Sequence, residues 1–447
     1  MDFIQSCREF ISIDSTPTSG SKVIAEKAAQ FCRERGLHVE IQEEFNGDTE
    51  EMNVIARPVE TRPSNEFLFQ THLDTVDPGP YQMWSKTGYN PFDAAILDGK
   101  IYGLGAADVK LDFLCKLEAL VKFKDVKSWG LPPVLVGTYG EEVGMTGALK
   151  LIRKNKISAK MALIGEPSNL RMINAAKGFA TVEIQIPFSK EEINYRQEHN
   201  LRESTSTQSR IFNGKSAHSS MPHLGESAIV KMFDYLLMLP ESVILMEIDG
   251  GTNFNTVPSH AILELDLTPT RESIAKKITF IYGAIQKLEK EFKDYCDSDF
   301  FPPTPTLNIG MVRTLGDHVL IGGSCRIPPV ITHDIYERWM LFLKQECEKV
   351  GGSFRVTDYK KPHRTALNSI LARGCRDELR AMGLDETIMA QSSTNEASLF
   401  SRVGIDCVCF GPGQREGNIH TPNEHVVIDD LHRATLFYEK MIERFCL

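Results

Sequence analysis

A chain of 447 residues is too long for one ordinary hydrophobic core, and 42% apolar with 25% charged residues describes a globular fold, not a disordered chain. Asp and Glu total 60 against 50 Lys and Arg, a formal charge of −10 with no basic block, which excludes nucleic-acid and acidic-membrane binding from the expected classes. Ten scattered cysteines without a C-x-x-C pair, an amino terminus whose apolar run is broken by Arg8 and Glu9, and no run long enough to span a bilayer set the expected location as the cytoplasm.

Phe3, Ile4, Cys7, Phe10 and Ile11 recur at helical spacing and predict a docked first helix. EFLFQTHLD reads as a strand running into a loop, and KLDFLCKLEALVKF as a helix with Leu111, Leu114, Leu117 and then Val121 on one side. PPVLVGTYGEE is again strand then loop, TGALKLIRK a helix, and MALIGEPS another strand-to-loop switch. This alternation predicts an α/β fold, a mainly parallel sheet with helices on both faces, which binds ligands beyond the carboxyl ends of its strands.

The pattern changes at Lys177. GFATVEIQI alternates like a half-exposed strand, and the polar stretch FSKEEINYRQEHNLRESTSTQSR that follows reads as a surface insertion. A helix at GESAIVKMFDYLLML, strand-like runs around GGTNFNTVPSHAILELDL and a helix at SIAKKITFIYGAIQKLEK predict an α+β domain with an antiparallel sheet. Near Pro362 the α/β alternation resumes, and IDCVCFGPG is one more strand-to-loop junction. The expected organisation is a catalytic domain formed by 1–176 and 362–447, with a second domain, 177–361, inserted.

His72 and Asp74 lie in THLDTV, Asp108 in GLGAADVK, Glu141 and Glu142 in TYGEEVG, Glu166 in IGEPS and His420 in GNIHTPNEH. Each has a plain reading by itself: a hydrogen-bonded loop histidine, a helix N-cap at Asp108, a solvated Glu pair, a Pro turn. Together they fall at strand ends or at a helix start, on the edge where α/β enzymes bind ligands. Histidines with carboxylates form a zinc ligand set. Three carboxylates and two neutral imidazoles carry −3 and two divalent ions +4, which leaves +1 for a hydroxide; without cations the carboxylates would repel and take up protons.

These motifs resemble the zinc-dependent aminoacylase and carboxypeptidase family, which includes acetylornithine deacetylase, succinyl-diaminopimelate desuccinylase and several di- and tripeptidases. The resemblance runs through H-L-D, G-x-x-D-V-K, G-E-E, G-E-P, A-H-S-S-x-P and the final H-T-P-N-E. It is strongest on the acetylornithine deacetylase side, through WSKTGYNPFDAAILDGKIYGLGAADVK, AAKGFATVEI and TNEASLF. It implies two zinc ions, with cobalt able to take their place: His72, Asp108 and Glu166 on one, Asp108, Glu142 and His420 on the other. Asp74 would orient His72, and Glu141 would be the general base. The implied substrate is an N-acyl amino acid or a short peptide.

The resemblance also makes the inserted domain a lid and dimerisation domain. His218 in KSAHSSMPHLGES matches a lid histidine that helps bind the reacting carbonyl, and Asn255 in NFNTVPSHA matches a lid asparagine. Arg326 would bind a substrate carboxylate, with His223 and Lys177 as further candidates. In relatives that dimerise this histidine comes from the partner subunit, so a simple lid implies a homodimer and a duplicated one allows a monomer. Two departures stand out. After ELDL, where many relatives carry an arginine, the chain reads Thr268-Pro269-Thr270, and PTPTLNIGMV…GGSCRIPPV, around 300–330, competes for the same family position, either as an extra hairpin and helix or as a partial duplication. After Gln391 the chain reads SSTNEAS where many relatives have a Gly-rich stretch ending in Asp, which leaves the side-chain pocket unassigned. Deacylation leads; a di- or tripeptidase or carboxypeptidase and a non-catalytic binder of amino-acid conjugates are the alternatives.

Overall fold

A computed structural model describes residues 2–47, 49–198, 207–240, 243–266 and 273–447. The chain divides into two compact units, one made of Met1–Ala175, His363–Ala390 and Asn395–Leu447, the other of Ala176–Pro362 with Gln391–Thr394.

In the first unit, strands rich in Val, Ile, Leu and Phe are buried on both faces and run parallel at the centre. Pro133–Thr138, Glu66–His72, Ala159–Gly165 and Asp406–Phe410 lie side by side in that order, all parallel. The edges are antiparallel: the hairpin His38–Asn46 and Thr49–Arg57 adds to Pro133–Thr138, and Ile173–Ala176 adds beyond Asp406–Phe410. Side chains alternate between two packed faces, as strand geometry requires. Phe67, Phe69, Leu135, Leu163 and Val408 pack with the helices Phe3–Ile11, Lys22–Glu34, Lys110–Val121, Ile370–Ala381 and Ile428–Phe445. Leu68, Val134, Val136, Ala162 and Ile164 pack with Thr146–Arg153 and Ala397–Arg402. The α/β class holds, with helices on both faces of a sheet whose parallel core carries antiparallel edges.

In the second unit, the described residues form one seven-stranded antiparallel sheet, ordered Thr207–Asn213, His260–Asp266, Ile244–Gly250, Thr306–Leu315, His318–Ile327, Gly178–Pro187 and Ser353–Lys360. The helices Ala228–Leu237, Ile274–Phe292 and His333–Lys349 bury their apolar sides in its core. Each has a hydroxyl at its N-cap, Ser227, Ser273 and Thr332, accepting a backbone N–H of the first turn. The expected surface insertion is corrected in part. Lys190–Glu198 is a helix whose Arg196 is buried over the Phe188 ring and donates to the Leu245 and Met246 carbonyls, and Glu192 accepts the Ile274 N–H. These backbone and aromatic partners let a polar sequence pack inward. Residues 199–206, and the Thr268-Pro269-Thr270 departure, lie outside the described residues. No described helix is long and apolar enough to cross a membrane, and all ten cysteines are unpaired.

Candidate metal centre

The parallel strands of the first unit deliver the acidic and imidazole side chains to one edge. His72 ends Glu66–His72, Glu166 directly follows Ala159–Gly165, and the Glu141–Glu142 turn follows Pro133–Thr138. Asp108 stands just before the helix Lys110–Val121, but that helix is capped at Val109 without a side-chain bond, so the plain N-cap reading of Asp108 does not apply. Its carboxylate is used elsewhere. Oδ1 lies 3.2 Å from His72 Nε2, and Oδ2 lies 3.1 Å from His420 Nε2. His420 Nε2 is also 3.1 Å from Glu142 Oε1.

Two sets of ligand atoms each lie within 4.8 Å of one another: His72 with Glu141 and Glu142, and Asp108 with Glu142 and His420. Glu166 belongs to neither set; it is buried, with Oε2 3.5 Å from Arg415 Nη1. Asp74 ties the two motifs together. Its carboxylate accepts the backbone N–H of Glu141 (3.1 Å) and of Glu142 (3.0 Å), and His72 Nδ1 is 3.6 Å from its Oδ1 and 3.1 Å from its carbonyl oxygen.

Burial opposes charging of His72, yet its bonds to Asp108 and Asp74 outweigh burial and hold the imidazole well above the usual histidine range. Burial likewise opposes charging of His420, and Asp108 with Glu142 still raise it to about 11. Asp108 is pushed up by burial but pulled well below the usual carboxylate range by His420 and His72. Burial drives Glu141 well above its usual range, against the pull of His72, with Glu142, Glu166 and Glu396 adding to it. Two imidazoles and the carboxylates between them thus share one site. Its nitrogen and carboxylate oxygen donors suit a divalent metal.

Two buried acids carry no role in the sequence reading. Glu424 Oε1 accepts the N–H groups of Ala107 (2.8 Å) and Asp108 (3.0 Å), so it sets the turn that presents Asp108. Burial, with Asp108 adding, pushes its pKa up to about 7 against those donors. Its one sequence signal is its place at the end of H-T-P-N-E. The other, Glu396, lies in TNEASLF and contacts Gln70 and Thr138.

The second unit gathers the lid candidates. His218 forms an isolated bridge with Thr256, and Ser219 donates its N–H to the Asn255 carbonyl at 2.7 Å. His218 Nδ1 accepts the Ser220 N–H (3.2 Å), which places the ring proton of the neutral form on Nε2. Asn255 Oδ1 accepts from Arg326 Nη2 at 3.4 Å, and the Arg326 guanidinium sits 4.2 Å from the Phe179 ring centroid. The two segments that competed for one family position thus contribute one residue each to a single cluster. Lys177 is committed to structure: its ammonium donates to the Pro302 and Thr304 carbonyls, and burial lowers its pKa to about 8. His223 meets Phe301 edge to face.

A parallel sheet edge bearing interlocked carboxylates and imidazoles fits a metal-dependent hydrolase. The chain belongs to peptidase family M20/M25/M40, which matches residues 68–444, and it acts on amide or peptide bonds. An acetylornithine deacetylase of Vibrio parahaemolyticus is 25% identical over 449 residues, covering 97% of this chain and 95% of the relative. Among solved structures, an M20 family metallo-carboxypeptidase from Sulfolobus solfataricus shares the fold with a TM-score of 0.64 at 17% identity, over 100% of this chain and 99% of that one. An aminoacylhistidine dipeptidase from Vibrio alginolyticus does so with a TM-score of 0.64 at 16% identity, over 99% and 96%.

Proposed function

We propose that the chain is a two-zinc amidohydrolase that deacylates N-acyl amino acids. The observation that carries this reading is Asp108, which presents one oxygen to His72 and the other to His420, the disposition of a carboxylate shared between two cations. His72, Asp108 and Glu166 would hold one zinc and Asp108, Glu142 and His420 the other, with cobalt able to replace them. When bound, the cations supply Lewis acidity and bring the pKa of water to about 7.

The chain's own residues do the rest. Glu141, held at its backbone by Asp74, takes the proton of the attacking water and gives it to the departing amine. His218 offers Nε2–H to the carbonyl oxygen as it turns negative. Arg326, braced by Phe179 and Asn255, pairs with the substrate carboxylate. His218 acts across a homodimer in this reading, and the unpaired thiols fit a cytoplasmic enzyme. The deacetylase relative, aligned over nearly the whole chain, favours acyl removal over peptide cleavage. The presence of every ligand and of Glu141 speaks against a non-catalytic binder. A panel of N-acyl amino acids and dipeptides, assayed with zinc and with cobalt, tests it. N-acyl substrates should be cleaved faster and a chelator should stop the reaction. Faster cleavage of dipeptides would make the chain a peptidase, and no metal-dependent cleavage would leave only a binder.

A further inference from the structure

The strand Glu66–His72 turns alternate side chains to opposite faces. Leu68 packs with Ala397, Leu399 and Phe400, so Gln70 and His72 point to the side of the helix Ala397–Arg402. On the other face Thr71 donates to Asp112 at 2.9 Å, and Lys116 caps the Gln70 carbonyl at 2.6 Å. In the neighbouring strand Thr138 pairs in register with His72, and the chain then turns into Glu141. Glu396, 1% exposed at the head of the helix, reaches between these strands. Its Oε2 accepts from Gln70 Nε2 and from Thr138 Oγ1 (2.9 Å), and Gln70 Nε2 also donates to Thr138 Oγ1 at 2.9 Å.

We propose that Glu396 is a positioning residue, a buried acid that clamps the ends of the two strands presenting His72 and the Glu141–Glu142 turn and so fixes their separation. This rests on the two-metal reading above. The clamp works through one oxygen, Oε2. Its second oxygen, Oε1, has no protein partner, and an ionised carboxylate left half unpaired in a buried position is costly. Burial pushes the group up to about 8 against the pull of His72 and the Thr138 bond, with Asp74 and Glu166 adding. A glutamine offers the same acceptor to Gln70 and Thr138 without the charge.

The test compares Glu396→Ala and Glu396→Gln with the parent protein, by zinc affinity in chelator competition, by melting temperature, and by kcat and KM at full metal loading. Glu396→Ala should lower zinc affinity or kcat roughly 10–100-fold with KM little changed, the usual effect of removing a group that holds a ligand in place. Glu396→Gln should restore both. Unchanged affinity and kcat in Glu396→Ala, even with a lower melting temperature, would overturn the proposal by reducing Glu396 to packing. Glutamine as damaging as alanine would overturn it too. If Glu396→Ala does not fold, Thr138→Val removes one donor of the clamp and is held to the same outcomes. A parent enzyme that binds zinc and cleaves its substrates beside an unaffected Glu396→Ala fails the clamp alone. A parent protein that binds no metal fails the functional reading and the clamp with it.

Discussion

The two units hold their chemistry-bearing groups in opposite ways. In the first, His72, Asp108, Glu142 and His420 stand at the ends of parallel strands or in the loops beyond and lean on one another, each charge answered by the next. In the second, His218 and Asn255 come from loops and Arg326 from a strand of the antiparallel sheet, and they are settled by ordinary partners: a Ser220 N–H, an aromatic face, a side-chain amide. The first cluster is a set of nitrogen and carboxylate oxygen donors close enough to hold a divalent metal ion. The second is held by a backbone N–H, an aromatic ring and an amide oxygen. In the function proposed above, metal and base fall to the first unit, and recognition and oxyanion stabilisation to the second.

The sharpest way to break that division is at Glu141. Glu141→Gln keeps the shape and removes the basicity, so zinc content should stay near normal while kcat falls roughly 10²-fold or more. Metal analysis beside steady-state kinetics checks it. Loss of zinc with little loss of intrinsic rate would mean that Glu141 is the ligand and Glu142 the base, an exchange the geometry leaves open because both lie within ligand distance of His72.

His218 probes the second unit. His218→Ala should cost on the order of 10²-fold in kcat, about 3 kcal/mol of oxyanion stabilisation, with zinc content unchanged. Mixing it with Glu141→Gln reads out the homodimer: activity regained after subunit exchange is expected if His218 of one chain serves the other. A demonstrably mixed dimer that stays inactive would remove the in-trans role, and an unchanged kcat in His218→Ala alone would remove the residue from the mechanism.

The first unit was the more legible in sequence, for a physical reason. A strand that ends at the ligand edge carries its functional residue in the next few positions, so THLD, YGEE and IGEP each announce themselves locally. What escaped was whatever depends on contacts far along the chain. Glu396 and Glu424 look like solvated acids until the fold buries them against Gln70 and the Asp108 turn. The hairpin His38–Asn46 and Thr49–Arg57 is acidic and gives no clear strand signal, although its inner side chains, Val54 and Ile55 among them, lie in the core. In the second unit the pairing of Asn255 with Arg326 joins residues 71 apart, and no short motif could show that NTVP and RIPP belong to one cluster.

The histidines make the same comparison in titration. The carboxylates beside His72 and His420 raise their pKa, whereas His363, where the chain re-enters the first unit, is 3% exposed with neither ring nitrogen bonded to protein. Burial alone lowers its pKa to about 4. The folded value thus lies below the ~6.5 of an unfolded histidine, so between the two the unfolded chain binds more protons. Its contribution to stability is present above pH ~6.5 and is lost as the pH falls towards 4, amounting to roughly 2 kcal/mol by pH 5. His363→Leu removes the group and nearly keeps its volume. Urea unfolding of both proteins from pH 7.5 to pH 5 should show the parent losing that much more stability than the variant, since groups common to both cancel in the difference. Parallel profiles would mean that His363 finds a partner or water that lets it charge in place, and the contrast with His72 and His420 would then rest on geometry alone.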